Sequence, residues 1–209
     1  MRQSSRRLVL LALGALAALG VAACHPGGGA VTSDDMSLGN PNAKVTVIEY
    51  ASVACPFCAK FNNEVFPAFK AKYIDSGKIH YVFREMLVGD DSEVTMAAAG
   101  FLMARCAGKD KYFSVVDAVF HGQQAMEQSG DVRGGLMRIG EAAGMSDSQF
   151  NTCINDDNAL KALNQRVQNY TTQDGIDSTP TFVINGKKLV GAPTLASLDA
   201  AIAAAQAGT

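Results

Sequence analysis

Tryptophan is absent from this 209-residue chain, which has only three histidines. Positive charge is not in excess either, since 18 lysines and arginines stand against 20 acidic residues. Nucleic-acid-binding domains and surfaces that bind anionic lipids both carry a basic patch or stripe. The composition therefore argues against both classes of binding surface, and no internal repeat indicates a solenoid.

No apolar run is long enough for a typical membrane-spanning helix. The longest covers residues 8–23, about 16 residues, whereas such a helix needs about 20. The basic segment MRQSSRR precedes it, as in the n-region and h-region of an export signal. We therefore expect residues 1–23 to be a signal peptide. Removing them takes away three arginines and no acids, which leaves 15 basic and 20 acidic residues.

The end of the apolar run, Val21-Ala22-Ala23-Cys24, resembles the lipobox of bacterial lipoproteins. In this interpretation Cys24 carries lipid and becomes the first residue of the mature chain. Ordinary signal peptides also have small residues before their cleavage site, so removal without lipidation remains the alternative. Residues 24–37 are rich in Gly, Ser and Asp and predict a flexible tether. We expect a protein of the periplasm or cell envelope, anchored to the membrane if Cys24 is lipidated.

Apart from Cys24, the sequence has four cysteines, which can pair in three ways. We favour Cys55 with Cys58 and Cys106 with Cys153, because a two-residue spacing is natural for a redox pair. The second pair would close a loop of about 47 residues, which in the chain-entropy estimate stabilises by about 4 kcal/mol. Its expected role is that of a structural disulfide.

The residues around Cys55 predict a strand, a helix and a second strand. Residues 44–50 are β-branched and aromatic and follow a turn at residues 39–42. From Cys55 onward, apolar side chains recur every three or four residues, as on an amphipathic helix, and residues 78–87 form the second predicted strand. This is a βαβ unit with the cysteine pair at the strand-to-helix junction.

The second half of the sequence predicts helices first and a hairpin afterwards. Residues 91–170 are helical in character throughout, and residues 181–184 and 188–190 flank an Asn-Gly turn, a strong hairpin signal. An Ala-rich helix at residues 196–205 follows. The order βαβ, helices, ββα predicts an α/β protein with a thioredoxin fold and an inserted all-helical subdomain.

Two motifs within this order resemble those of the DsbA-like thiol:disulfide oxidoreductases of the thioredoxin superfamily. The first is Cys55-Pro56-Phe57-Cys58, and the second is Ser178-Thr179-Pro180 just before the hairpin. A lone Cys-x-x-Cys is a weak signal, but a Thr-Pro about 120 residues later, in this order of elements, is a strong one. The resemblance covers about residues 38–205.

The resemblance implies a thioredoxin-fold domain made of residues 38–90 and 171–209. Residues 91–170 would be the helical insertion. Cys55 would be the catalytic cysteine with the exposed sulfur, and Cys58 its partner.

Four neighbouring positions would support the site. The resemblance implies a cis peptide bond before Pro180, facing the cysteines, with the backbone of Thr179 free to pair with an extended substrate. Pro56 fits the first turn of a helix, where its missing N–H costs nothing. The strongest oxidants of the family have a histidine where Phe57 stands and a valine where Thr179 stands. These two departures imply a less oxidising pair.

The position of Cys55 at the start of a helix favours its thiolate, the form that attacks disulfides. Lowering a thiol pKa from about 8.5 to about 5 corresponds to about 5 kcal/mol. Helix-dipole effects contribute only about 0.3–2 kcal/mol, so N–H and S–H donors, including Cys58, must supply the rest. Stabilising reduced Cys55 makes the disulfide form a better oxidant.

Glu49 lies six residues before Cys55, where the superfamily commonly keeps an acidic residue beneath the active site. The resemblance implies a buried carboxylate that takes or gives the proton of Cys58. A glutamate on the solvent side of an edge strand is the alternative, and the alternation along residues 44–50 does not separate the two.

Two other interpretations of the Cys55-Cys58 pair are a zinc site and an inert disulfide. A closed zinc site would need a second Cys-x-x-Cys or Cys-x-x-His, and the sequence has neither. A two-residue loop at a helix start is strained and accessible, as in labile bridges. We therefore expect neither a metal nor a cofactor.

The expected activity is disulfide formation in exported proteins that contain cysteines, with re-oxidation by a DsbB-like membrane oxidant. An isomerase or reductase kept reduced by a DsbD-like partner would use the same residues in the reverse direction. A non-catalytic binding protein or holdase is a third hypothesis. We expect a monomer, because no dimerisation region precedes the domain beyond the short tether.

Overall fold

A computed structural model describes residues 29–208 as a five-stranded sheet with helices on both of its faces. The expected signal peptide, residues 1–23, and the lipidation site Cys24 lie outside the described residues. The elements are β1 Met36–Gly39, β2 Thr46–Ala51, α1 Pro56–Glu64, α2 Phe66–Phe69, a π-helical turn Lys70–Ile74, β3 His80–Glu85, α3 Asp91–Cys106, α4 Lys109–Ser129, α5 Val132–Ala142, α6 Asp147–Ile154, α7 Asp157–Thr172, β4 Thr181–Ile184, β5 Lys187–Val190 and α8 Leu195–Ala207.

The strands lie in the order β1-β3-β2-β4-β5, so β2, which leads to the cysteines, is central. Strands β2 and β3 are parallel and flank α1, as expected of a βαβ unit, and the other pairs are antiparallel. Glu49 of β2 lies between Phe83 of β3 and Phe182 of β4. The predicted thioredoxin fold with a helical insertion is confirmed.

The two faces of the sheet carry different cores. One core contains residues of α1, α3, α4 and α8 together with side chains such as Val47 and Tyr81. The core on the opposite face is smaller and contains Ile48 and Tyr50 of β2 with Tyr170 of α7. Since side chains alternate along a strand, Glu49 points to the same face as Val47.

The helical block between β3 and β4 is tied by a covalent bond. Cys106 at the end of α3 and Cys153 in α6 form a disulfide, with their Cα atoms 6.0 Å apart. Two helices of the block begin with a capping box, formed by Asp90 at the N-terminus of α3 and by Ser146 at the N-terminus of α6.

The prediction of a flexible tether over residues 24–37 is wrong for residues 29–37, the part that the structure describes. Met36–Gly39 form β1, which pairs antiparallel with β3. Asp35 binds the buried guanidinium of Arg84 through Nε at 2.9 Å and Nη2 at 3.0 Å, and Arg84 Nη2 also donates to the carbonyls of Gly29 and Ala30. A buried cation needs such partners, so this segment packs against the domain. Residues 24–28 lie outside the described part.

Arg84 has a second carboxylate partner. Its Nη1 donates to Asp174 at 2.9 Å and to the hydroxyl of Tyr50 at 2.8 Å. The guanidinium also lies over the rings of Tyr50 and Tyr170. A single arginine therefore joins the N-terminal segment, the sheet and the segment after α7.

Between residues 29 and 208, no helix combines the length and the apolar character that crossing a membrane requires.

Candidate active site

The cysteine pair lies where β2 ends and α1 begins. Cys55 is the N-cap residue in an extended conformation, Pro56 occupies the first turn, and no side chain caps the helix. The free N–H groups of this turn point toward the position of the Cys55 sulfur. Phe57 is 62% exposed, so the helix start presents an apolar ring to solvent.

Both cysteines are free thiols, and Cys55 is more buried than the sequence suggested. Cys58 has no exposed surface, and Cys55 is only 9% exposed. The sulfur of Cys55 lies 3.5 Å from the carbonyl oxygen of Thr179, in the segment before β4. The Thr179–Pro180 peptide bond is cis. The structure thus brings the two motifs together, and the Thr179 segment covers part of the sulfur that we expected to be exposed.

The thiol of Cys55 is more acidic than usual. Hydrogen bonds from the Cys58 thiol, from the side chain of Thr179 and from the backbone N–H groups of Cys58 and Phe57 lower the pKa of Cys55 from 9.0 to about 6, against the opposing effect of burial. At neutral pH Cys55 is therefore mainly a thiolate, which is the nucleophilic form.

The thiol of Cys58 is less acidic than usual. Burial raises its pKa well above 9.0, and the hydrogen bond to Cys55 together with the charges of Cys55 and Glu49 raises it further. The reduced pair therefore holds one proton, which stays on the Cys58 sulfur. The Cys58 thiol donates a hydrogen bond to the Cys55 thiolate. This asymmetry suits Cys55 to the part of the attacking and leaving sulfur in thiol exchange.

Glu49 is buried on the central strand, so the solvent-facing edge-strand alternative is wrong. It is 2% exposed, and burial raises its pKa to about 8. The hydroxyl of Tyr81 donates a hydrogen bond of 2.6 Å to Oε2 of Glu49 and offsets part of that rise. A carboxyl with this pKa exchanges its proton near neutral pH.

Two residues of the site carried no signal in the sequence. Tyr81 is one, on β3. The other is Gln123 of α4, whose Nε2 donates a hydrogen bond of 2.8 Å to the carbonyl of Val53, two residues before Cys55. Both contacts join residues far apart in the chain, so no local motif could have revealed them.

The described residues, 29–208, contain no group of three or more histidine, cysteine, aspartate or glutamate side chains placed to hold a metal ion.

Comparison with known proteins agrees with this geometry. A family model described as Thioredoxin matches residues 31–204. The chain belongs to the thioredoxin family. Within that family, it is similar to a putative protein-disulfide oxidoreductase of Rickettsia bellii, with 32% identity over 157 residues. The match covers 75% of this chain but only 59% of that protein, so the chain spans about three fifths of the curated relative.

This thioredoxin-family chain is also similar in structure to two solved proteins. Wolbachia pipientis alpha-DsbA1 has a TM-score of 0.75 at 28% identity, over 85% of this chain and 94% of that one. A protein-disulfide isomerase from Novosphingobium aromaticivorans has a TM-score of 0.65 at 25% identity, over 81% and 96%. The resemblance to DsbA-like proteins that the two motifs indicated is confirmed.

Proposed function

We propose that the protein is a thiol:disulfide oxidoreductase that forms disulfides in exported proteins through Cys55 and Cys58. The observation that carries the proposal is the opposite displacement of the two thiol pKa values, downward to about 6 at Cys55 and upward at Cys58. Catalytic dithiols need one sulfur that leaves as a thiolate and one that is protonated and shielded.

The first step is an attack by a substrate thiolate on the Cys55 sulfur of the oxidised pair. A new bond forms between the substrate sulfur and Cys55, and the Cys55–Cys58 bond breaks. Its electron pair goes to Cys58, which takes up a proton because its pKa is high. Glu49, with a pKa of about 8, is mostly protonated at pH 7 and supplies that proton.

The second step resolves the mixed disulfide. A second thiolate of the substrate attacks the substrate sulfur that is bonded to Cys55, and Cys55 leaves as a thiolate. The substrate has then lost two electrons and gained a disulfide, and the enzyme holds the reduced pair. Because the pKa of Cys55 is about 6, this leaving group is good at neutral pH.

The pKa of Cys55 also bears on the direction of exchange. It lies between the values of about 7 for thioredoxin and about 3.5 for DsbA. We therefore expect a reduction potential between about −270 and about −120 mV. A DsbB-like membrane oxidant would restore the disulfide. The strongest oxidants have other residue types at the positions of Phe57 and Thr179. These two residues therefore support a reduction potential below the oxidising extreme.

The setting of the activity belongs to the same proposal. Residues 1–23 direct export, Cys24 carries lipid or leaves with the signal, and the chain works as a monomer. Cys106 and Cys153 stabilise the helical insertion at residues 91–170 and take no part in exchange.

The deciding experiment is the equilibrium of Cys55 and Cys58 in graded glutathione buffers. The fraction reduced is read by the mass of alkylated protein, because no tryptophan is present as a reporter. A potential in the upper part of the range supports disulfide formation. One near about −270 mV indicates a reductase or isomerase that needs a DsbD-like partner.

A Cys55→Ala variant separates catalysis from binding. It should lose the ability to oxidise a reduced client, while the Cys106→Ala/Cys153→Ala double variant should keep it. Full function in Cys55→Ala would instead mean a binding protein or holdase.

A further inference from the structure

The turn that carries Cys55 is held by the helical insertion through a side chain that the exchange steps do not use. Gln123 of α4 is 3% exposed and donates to the carbonyl of Val53, which is itself fully buried. A buried carbonyl without a partner is costly. The hydrogen bond of Gln123 therefore fixes the orientation of the peptide unit just before Ala54 and Cys55.

Two N–H groups of the turn are bonded within it. The N–H of Cys55 donates to the carbonyl of Ser52 at 3.0 Å, and the N–H of Ala54 donates to the Ser52 hydroxyl at 3.3 Å. The carbonyl of Val53 instead ties the turn to α4.

A second helix holds the same residue by close packing. Gly100 of α3 faces the side chain of Val53, and a Cβ atom at position 100 would lie 3.0 Å from Cγ2 of Val53. Helices α3 and α4 thus hold Val53 at its side chain and at its carbonyl. Movement of this residue would carry Cys55 with it, because only Ala54 separates the two.

We propose that Gln123 is a positioning residue for Cys55, which keeps the sulfur beside the donors of Cys58, Thr179 and the helix start. The proposal rests on the proposed function in one respect, since the positioned sulfur matters as the leaving group of disulfide exchange. It also gives the helical insertion, through α4, a part in the chemistry.

The test replaces Gln123 by methionine, which keeps the length and volume of the side chain but removes the amide donor. The rate of alkylation of reduced Cys55 is measured against pH and read from the mass of the Cys55 peptide. We expect the pKa of Cys55 to rise by about 0.5 to 1. At pH 7 the glutathione equilibrium should move about 3- to 5-fold toward the disulfide form, since less thiolate stabilises the reduced pair.

Asn62→Leu is the matched control. Asn62 of α1 donates to Asp117 of α4 at 2.9 Å, so it joins the same region to the same helix without touching the turn. We expect a lower melting temperature and an unchanged pKa of Cys55 for this variant.

The proposal fails if Gln123→Met lowers the melting temperature as the control does but leaves the pKa of Cys55 where it was. Where Gln123→Met does not fold, Gln123→Asn keeps the polarity with an amide too short for the contact and should show the same rise. Failure of both to fold would mean that the hydrogen bond serves folding, and would overturn positioning. Alkylation needs no client, so this outcome is separate from a failure of the proposed exchange activity.

Discussion

The hydroxyl of Tyr81 and Oε2 of Glu49 are 2.6 Å apart on the face of the sheet that packs against α1. The two residues lie on adjacent parallel strands, β2 and β3, and Glu49 pairs with Phe83, two residues after Tyr81. The Tyr81 hydroxyl therefore reaches the carboxyl group from the neighbouring strand. Tyr81 stabilises the ionised carboxylate, whereas burial opposes it. The balance leaves the acid able to lose its proton a little above neutral pH.

Replacing Tyr81 by phenylalanine should raise the pKa of Glu49 further above about 8. A hydrogen bond to a charged group is worth about 1.5–3 kcal/mol, so a rise of about 1 or more is expected. The measurement is the pH dependence of the reduction of a disulfide substrate, a reaction in which the proposed function has Glu49 accept the proton of Cys58. The rising part of the profile should move to higher pH.

Tyr112→Phe is the control for this variant. Its hydroxyl donates to another buried glutamate, Glu85, at 3.0 Å, so it removes a similar contact in another part of the core. It should leave the profile in place, and equal displacement by both variants would contradict a specific role for Tyr81.

Glu49→Gln should stabilise the protein increasingly as pH rises. Between pH 4.5 and about 8 the folded protein keeps a proton on Glu49 that the unfolded chain has released. The free energy of unfolding of the unsubstituted protein therefore falls through this window, by at most about 1.4 kcal/mol per pH unit. Glutamine does not titrate, so the variant does not lose this free energy of unfolding. Its amide oxygen can still accept the hydrogen bond from Tyr81.

Urea unfolding at pH 5 and pH 8 checks this prediction. The advantage of Glu49→Gln should be larger at pH 8. Glu64→Gln, at an exposed side chain that pairs with Lys60, is the control substitution. An advantage that is equal at both pH values would show that Glu49 is ionised in the folded protein.

Cys58→Ala should raise the pKa of Cys55 above about 6, because the Cys58 thiol is its strongest stabilising donor. Cys58→Ser keeps a hydroxyl donor at the same place and should hold the pKa of Cys55 lower than the alanine does. The pH profile of Cys55 alkylation measures both. An identical profile for the two variants would assign the low pKa to the backbone donors and Thr179 instead.

Removing the disulfide with Cys106→Ala and Cys153→Ala should destabilise the protein without changing its redox pair. The bond closes a loop with a sequence separation of 47, which corresponds to about 4 kcal/mol in the chain-entropy estimate. Denaturant unfolding gives the loss, and glutathione titration gives the potential of the Cys55–Cys58 pair. A changed potential would mean that the disulfide acts on the site.

The parts of the fold that were predictable are those with a local signal. The change of period after residue 55 placed the helix start, and the Asn-Gly pair placed the hairpin between β4 and β5. Strand β1 had no such signal, because its four residues follow a Gly-, Ser- and Asp-rich stretch. It forms because β3 has a free edge and Arg84 holds Asp35 beside it.

The cysteines of the site could be predicted from the sequence, but the residues that surround and position them could not. The two motifs identified Cys55, Cys58 and Thr179, but alternation along β2 could not say which face is buried around Glu49. That depends on the order of strands in the sheet, which is set by long-range pairing. Tyr81 and Gln123 reach the site across 32 and 70 residues, and only the fold makes them neighbours.

The contacts of Arg84 attach the described residues before β1 to the domain. The carbonyls of Gly29 and Ala30 and the carboxylate of Asp35 solvate this cation in place of water. A protease cut just after Asp35 would leave every helix and strand of residues 36–208 intact, but the buried Arg84 would keep only one carboxylate partner, Asp174. Losing a partner from a buried ion pair costs about 3–5 kcal/mol. Within the described residues, the domain therefore includes the hydrogen-bond partners of an arginine some fifty residues downstream, and these partners precede β1.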